Sequence, residues 1–401
     1  MIFEALIALM LGILAGMFTG LLPGIHINLV SVILISNLAY FDIFQPIIVA
    51  IFIVSMAIAN TFIDFIPAIF LGAPEEDTFL SILPGHEMLI EGKAYEAIIL
   101  TLYGSLTALA LILFFTPIFI YVIPSIQKYL QISIPIILIF VSTYLILREK
   151  YIFTSLAVFL LAGFLGFISL NLPIEQPLLP LLTGLFGISA LIISLKEKPS
   201  IPEQKISPLK QITLSKKEII FSNLGAILSA PLCSFLPGIG SGHAAVISSE
   251  IIPQTKRSFL YLLGCINTIV MGLSFVALFI INKTRTGAAV AVKEILGEVS
   301  WLNLTFIMVA VIIAGIISFF IALNLSKLVS KYISKINYAK LSLTIIIVLV
   351  IVNLIFSNFL GIVVLVTSTA LGVFTIKSKV RRINLMGCLL IPTIIFYIFL
   401  I

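Results

Sequence analysis

The tetrapeptide Leu-Pro-Gly-Ile at residues 22–25 interrupts an apolar stretch, 5–40, and recurs at 236–239 inside a second apolar stretch, 218–252. Proline removes a backbone donor from a helix, and glycine permits a tight reversal of the chain. Each stretch is therefore predicted to form a broken hairpin, either re-entrant or built from two short helices. In both cases its two ends lie on the same face of a membrane. The recurrence predicts two related halves.

The composition excludes a soluble protein. Of the 401 residues, 61% are hydrophobic and only 10% are charged, and the mean hydropathy is +1.27. Soluble domains carry about 25% charged residues. The sequence shows no short alternating segments of the kind that build membrane β-barrels. Helices satisfy every backbone polar group inside lipid, so we expect an all-α polytopic membrane protein.

About ten apolar runs are long enough to cross a bilayer, in addition to the two broken hairpins. These predicted spans are 46–70, 97–122, 132–148, 151–170, 178–195, 258–282, 302–326, 341–357, 360–376 and 384–401.

Lysine and arginine residues cluster in a few short loops, which predicts their side of the membrane. The longest polar stretch, 196–217, contains six lysines and three prolines, and we interpret it as a cytoplasmic linker between the halves. Counting spans from this linker places every dense basic cluster on the cytoplasmic side and both termini outside, in the plasma membrane. The predicted organisation is a membrane repeat at 1–195, the linker at 196–217 and a second membrane repeat at 218–401.

The same count gives the two hairpins opposite orientations, because the first begins outside and the second begins inside. Asn60-Thr61 and Asn267-Thr268 also recur, 207 positions apart. Two related halves of opposite orientation form an inverted-topology repeat, which many secondary transporters use.

The hairpins supply the predicted substrate-binding residues. Broken helices expose N-terminal N–H groups that suit an anion, and lipid would exclude the polar groups found beside them. Lys283 and Arg285, which are expected on the outer side, are added to this set because they could line the path of an anion. The alternative is that they form an ion pair with Glu294 or Glu298. The set comprises Pro23, Gly24, His26, Asn28, Pro237, Gly238, Gly240, Ser241, His243, Lys283 and Arg285. The alternative for the hairpins is a pair of structural kinks without a ligand.

Four further residues are predicted to couple transport to an ion: Asn60, Asp64, Glu75 and Asn267. Asp64 is the one acid well inside a predicted span, and ionisable groups at that depth are costly and usually functional. For Asn60 and Asn267 two roles stay open: they bind an ion, or they only join helices by hydrogen bonds. Glu75 opens an acidic stretch that is either a gate or a solvated loop with an amphipathic helix.

We expect no metal site and no cofactor apart from Na⁺ or H⁺ as the coupling ion. His26, His86 and His243 each follow a Pro-Gly pair, but they lack the spacing of metal-binding motifs. The sequence also contains no nucleotide-binding loop, so ATP does not drive this chain directly.

These motifs resemble the large membrane subunit of tripartite tricarboxylate transporters, the TctA-like family. The likeness covers, in order, a glycine-rich Pro-Gly segment (16–25), a second segment with Pro-Gly and Glu-Gly-Lys-Ala (72–94), and Pro-Gly-Ile-Gly (237–240). The chain departs from the family pattern at Glu75 and at 283–287. The resemblance implies a permease that works with a small membrane subunit and an extracytoplasmic binding protein.

The predicted function is therefore secondary transport of a small organic anion, such as a di- or tricarboxylate, by alternating access, and not enzymatic catalysis. The alternative is a membrane enzyme or translocase that handles polyprenyl phosphate or another anionic lipid. Glu75, His243 and Arg285 would then converge on phosphate. Nucleic acid is not an expected partner.

Overall fold

The computed structural model of the chain describes residues 2–22, 44–72, 78–174, 176–197, 201–235, 241–282, 284, 286–335 and 338–400. Within these ranges every regular element is helical. The α-helices are, in chain order, α1 (Ile2–Leu21), α2 (Pro46–Ile63), α3 (Phe65–Leu71), α4 (Ile82–Ile90), α5 (Ala94–Leu147), α6 (Ile152–Asn171), α7 (Leu178–Leu182), α8 (Ser189–Glu197), α9 (Lys216–Phe235), α10 (Ser241–Ile251), α11 (Lys256–Ile281), α12 (Gly287–Leu296), α13 (Trp301–Ile333), α14 (Tyr338–Lys377) and α15 (Gly387–Leu400). A π-helical turn (Thr183–Ile188) joins α7 to α8, and short 3₁₀ turns lie at Phe79–Ser81, Leu209–Gln211 and Arg382–Met386.

Local signals set the ends of the helices in the second half. Before α11, the Thr255 hydroxyl accepts from the Ser258 amide (3.1 Å), and the Ser258 hydroxyl accepts from the Thr255 amide (2.9 Å). This reciprocal capping box satisfies two amides that a helix start leaves without partners. Asn282 ends α11 in the left-handed conformation (φ 50°), and Ser300 caps the start of α13. The polar loop residues therefore decide where these apolar helices begin and end.

Eight helices in the described part of the chain are long and apolar enough to cross a membrane. They are Ile2–Leu21, Pro46–Leu71, Ala94–Ser125, Ile152–Asn171, Lys256–Ile281, Trp301–Ile333, Ser342–Lys377 and Arg382–Phe399, and Pro135–Leu147 and Leu178–Ile193 are shorter apolar helices. The prediction of an all-helical, polytopic membrane protein is confirmed. The exact number of spans and the re-entrant form of the hairpins stay predictions.

Two pairs of predicted spans lie on single long helices. Residues 97–122 and 132–148 both belong to α5, which continues through Pro117, Pro124 and Pro135. A proline removes one backbone hydrogen bond and bends a helix, but the neighbouring turns can continue. Residues 341–357 and 360–376 both belong to α14, where Asn358 (φ 54°, ψ −166°) separates two helical segments.

The helices before residue 126 and those of 216–333 pack in a matching pattern. Helix α1 packs along α2 as α9 packs along α11, and α2 packs on α13 as α11 packs on α5. Helices α2 and α11 meet each other at the centre. Glycines allow the closest approaches: a Cβ atom at Gly104 would overlap the Tyr261 carbonyl, and one at Gly264 would overlap the Thr101 carbonyl. Small residues let membrane helices approach to backbone contact in this way.

The remaining helices pack mainly on one another. Helix α15 packs along α6, and α14 packs along α7, the π-helical turn and α8. The linker is attached to the first half: the Gln204 side chain accepts from the Ala94 amide (2.9 Å) and donates to the Leu89 carbonyl (3.0 Å). The division into 1–195, 196–217 and 218–401 stays a prediction.

Candidate functional site

A buried polar cluster lies where α2 of the first half meets α11 of the second half. It is built from Thr19 on α1, Asn60, Thr61 and Asp64 at the end of α2, and Asn267 and Thr268 in the middle of α11. All six side chains are at most 4% exposed. Buried polar groups in an apolar protein are costly unless they are hydrogen-bonded to each other. The cluster is therefore held by its own contacts, which run between the helices.

Asp64 lies at the break between α2 and α3. Its backbone amide still bonds to the Asn60 carbonyl (3.0 Å), but Pro67, one turn later, has no N–H to continue the ladder. The Asp64 Oδ2 atom accepts a hydrogen bond of 2.9 Å from the Asn267 side-chain amide. The acid of one half is thus held by the amide of the other half.

The recurring Asn-Thr dipeptides come together in space. The hydroxyls of Thr61 and Thr268 lie 3.2 Å apart and share a hydrogen bond, although the residues are 207 positions apart in the chain. The Asn60 side-chain amide donates to the Thr19 hydroxyl (3.1 Å), which in turn donates to the Gly16 carbonyl (3.1 Å). Three of the four predicted ion-coupling residues, Asn60, Asp64 and Asn267, therefore belong to one cluster.

The chemistry of this cluster suits a proton or a small cation. A carboxylate carries the negative charge, and the surrounding hydroxyl and amide oxygens are hard ligands of the type that such cations prefer. An isolated charge at membrane depth is expensive, so a carboxylate placed there either takes up a proton or neutralises a cation.

Most of the predicted substrate-binding residues lie outside the described residues. This applies to Pro23, Gly24, His26, Asn28, Pro237, Gly238, Gly240, Lys283 and Arg285, and also to the ion-coupling candidate Glu75. Ser241 is the buried first residue of α10. His243 lies in the first turn of α10, and its side chain is outside the described part. Their roles stay predictions.

The acidic stretch after residue 78 contacts the start of α11 through ion pairs. The Lys256 ammonium lies 2.7 Å from Glu87 and 3.2 Å from Glu91, and Arg257 lies 2.7 Å from Glu96. Hydrogen bonds from Lys93 and Lys256 hold the pKa of Glu91 below its ordinary value. These carboxylates join the two halves at the surface, beside the linker.

Thr19, Thr61 and Thr268 are cluster residues that the sequence-based prediction of the site did not include. The recurrence of Asn-Thr was visible in the sequence, but it marked a repeat and not a contact. The only available signal for Thr19 was its place in the glycine-rich segment before the first hairpin, since Gly16 and Gly20 bring α1 close to α2.

Comparisons with known proteins agree with the resemblance seen in the sequence. Residues 6–387 match the tripartite tricarboxylate transporter TctA family. The chain is also similar to the uncharacterized protein MJ1079 of Methanocaldococcus jannaschii, with 31% identity over 406 residues, which cover 98% of this chain and 99% of that protein. No solved structure matches the chain. The chain therefore belongs to the tripartite tricarboxylate transporter TctA family of membrane transporter components.

Proposed function

We propose that this chain is the permease subunit of a tripartite transporter, and that it moves a small organic anion, such as a di- or tricarboxylate, by alternating access. A gradient of Na⁺ or H⁺ drives the movement. One observation carries the proposal: the buried Asp64 carboxylate of the first half is hydrogen-bonded by Asn267 of the second half. An ion that binds this carboxylate changes the contact between the halves, which is what coupling requires.

The packing pattern supports an inverted-topology repeat as the frame for this movement. Helix pairs α1–α2 and α9–α11 correspond, and so do α2–α13 and α11–α5. The contact between Thr61 and Thr268, which hold equivalent places in the two halves, fits a pseudo-two-fold axis through the α2–α11 contact. The linker then lies in the cytoplasm and both termini lie outside.

Substrate recognition is assigned to the two Pro-Gly hairpins. Helix ends with free N–H groups attract carboxylates, and the cations Lys283 and Arg285 add positive charge on the outer side. A family of tricarboxylate transporters supports an anionic substrate. The small membrane subunit and the extracytoplasmic binding protein of tripartite systems are the proposed partners.

Uptake by proteoliposomes tests this function. The purified chain is reconstituted, alone and together with a small subunit and a binding protein of this transporter class, and uptake of radiolabelled succinate, malate and citrate is measured under an imposed Na⁺ or pH gradient. We expect saturable, gradient-driven accumulation of at least one of these anions. Asp64→Asn keeps the shape of the side chain but removes its charge, so accumulation is expected to be lost.

Thr116→Val is the matched control. Thr116 is also a buried polar residue of a membrane helix, but its hydroxyl donates to the Ile112 carbonyl of its own helix (2.6 Å) and lies outside the cluster. We expect this variant to transport like the wild type. Accumulation by Asp64→Asn at the wild-type rate would remove Asp64 from coupling. Release of phosphate from a polyprenyl pyrophosphate, without uptake of any anion, would support the enzymatic alternative.

A further inference from the structure

The geometry points to a division of the chain into two bodies that move against each other, each built from both sequence halves and joined at one edge by the ion pair of Arg148 and Glu250. The core body comprises α1–α4, the first part of α5 (94–125) and α9–α13. The peripheral body comprises the last part of α5 (135–147), α6–α8, α14 and α15. The transport measurement below rests on the proposed function, because the polar cluster that is proposed to couple transport to an ion lies in the core body.

The core body is held together across the two halves. The Ser105 hydroxyl of α5 donates to the Gly264 carbonyl of α11 (3.1 Å), and the Tyr261 hydroxyl lies within hydrogen-bond distance of Thr107 (2.9 Å) and Asn223 (3.0 Å). All six residues of the polar cluster lie on α1, α2 and α11, or at the end of α2. The cluster therefore moves as one unit with the core body.

The peripheral body is equally well joined across the halves. On one side, Cβ atoms at Gly166 of α6 and Gly387 of α15 would overlap the backbone of the opposite helix. On the other side, the Ser368 hydroxyl of α14 donates to the Pro180 carbonyl (3.1 Å), and the Ser357 hydroxyl donates to the Gln176 carbonyl (3.1 Å). Backbone contact of this kind fixes helices rigidly.

Just after the end of α5, the buried Glu149 carboxylate joins this helix to the 3₁₀ turn that precedes α15. Glu149 is only 9% exposed, and it accepts from the Arg381 guanidinium (2.5 Å) and from the Asn384 amide (3.0 Å). The Glu149 carboxylate is buried, although Arg381 is partly exposed, and separating it from both partners would leave an uncompensated buried charge, so these contacts are expected to stay closed. They assign the end of α5, including Arg148, to the peripheral body.

Contacts between the helices α9–α13 and the peripheral body are sparse. In the described ranges, none of the helices α9–α13 packs along α6–α8, α14 or α15 through more than isolated contacts. Leu71, at the end of α3, packs against a small separate apolar cluster of the peripheral body, whereas other buried residues of that body, such as Phe159 and Phe186, belong to the main apolar core. Helix α5 passes through both bodies, and a straight helix of its length would be about 81 Å long, against a hydrocarbon core of about 30 Å. Its prolines mark where it can bend between the bodies.

The ion pair that joins the bodies is suited to open and close. The Arg148 guanidinium lies 2.6 Å from Glu250 at the end of α10, and the Arg148 side chain is 54% exposed while that of Glu250 is 12% exposed. Water can reach the exposed Arg148 guanidinium and replace Glu250, so this pair is expected to separate more readily than the contacts of Glu149, which also include Asn384. In contrast, the pair of Arg257 and Glu96 (2.7 Å) lies wholly within the core body.

Distance measurements test the inference without a transport assay. The variant Arg148→Cys with Glu250→Cys is spin-labelled in lipid vesicles, and the control is Glu96→Cys with Arg257→Cys. The three native cysteines are buried, so they are expected to react slowly. We expect the first pair to show two distance populations, whose ratio shifts when the Na⁺ or H⁺ concentration is changed. The control pair is expected to show one population under all conditions.

Cross-linking gives the transport measurement. A short bismaleimide that joins residues 148 and 250 is expected to abolish uptake, whereas the same reagent across 96 and 257 leaves uptake unchanged. A single distance population for 148–250 under every condition would overturn the inference, as would normal uptake by the 148–250 cross-linked protein. Two distance populations in a protein that transports none of the anions tested would contradict the proposed function and support the two bodies.

Discussion

The two Asn-Thr dipeptides hold equivalent places in the halves, but their asparagines have different partners. Asn267 donates to a carboxylate, Asp64, whereas Asn60 donates to the hydroxyl of Thr19. The position equivalent to Asp64 in the second half, 207 residues later, is occupied by Met271, a buried apolar residue. The helices of the two halves pack in a matching pattern, but the equivalent positions 64 and 271 differ, because the first holds an acid and the second an apolar side chain. Within the polar cluster, the charge that an ion can neutralise comes from the first half.

The largest effect is expected when the second half receives an acid as well. Met271→Asp buries a carboxylate at a site that packs apolar side chains, and an uncompensated buried charge costs about 3–5 kcal/mol. Met271→Leu conserves volume and should cost less than about 1.5 kcal/mol. The free energy of unfolding, measured by titration with sodium dodecyl sulfate in mixed micelles, distinguishes them. Equal stability of the two variants would show that the halves tolerate an acid alike.

The next largest difference in stability is expected between a variant that loses the Asn267 side-chain amide and one that loses the Asn60 side-chain amide. Asn267→Leu takes a donor from a buried carboxylate, and hydrogen bonds to charged groups contribute about 1.5–3 kcal/mol. Asn60→Leu breaks a bond between neutral groups, which contributes about 0.5–1.5 kcal/mol. The same unfolding titration should therefore rank Asn267→Leu as the less stable variant. The opposite ranking would contradict a special role for the Asp64 contact.

The contact between the Thr61 and Thr268 hydroxyls is expected to contribute less, and the Thr61 hydroxyl also donates to the Ile58 carbonyl of its own helix (2.9 Å). Thr61→Val and Thr268→Val each remove one hydroxyl, and hydrogen bonds between membrane helices contribute about 0.6 kcal/mol on average. Because each hydroxyl has the other as a partner, the double variant should lose less stability than the two single losses together. Strict additivity in this double-mutant cycle would show that the hydroxyls do not interact.

The exposed ion pairs that join the halves at the surface are expected to contribute least to the free energy of unfolding. Lys256→Gln removes the cation beside Glu87 and Glu91, and such exposed pairs contribute about 0–1 kcal/mol at neutral pH. Since the pKa of Glu91 is lowered in the folded state, its stabilising effect is present above its ordinary pKa and is lost as the pH falls through the folded value. The stability difference between wild type and Lys256→Gln should therefore shrink on acidification, as thermal unfolding at pH 7 and pH 4 can show. A difference that grows at pH 4 would contradict this sign.

Several features of the fold could be predicted from the residues alone because they depend on local chemistry. Apolar runs predicted the positions of most helices, since a backbone inside lipid has few alternatives to a helix. The merging of two pairs of spans into α5 and α14 could not be predicted, because whether a helix continues through Pro124 or past Asn358 depends on the packing around it.

The sequence by itself determined that this is a helical membrane protein of the TctA family with recurring motifs, and that Asp64 is an acid inside an apolar span. The tertiary structure decided what those residues contact. It placed Asn267 on Asp64 and Thr61 on Thr268, and it grouped the last helices of both halves apart from the cluster. The physical reason is that helix formation in lipid follows from nearby residues, whereas a hydrogen bond between residues some 200 positions apart exists only after the helices have packed.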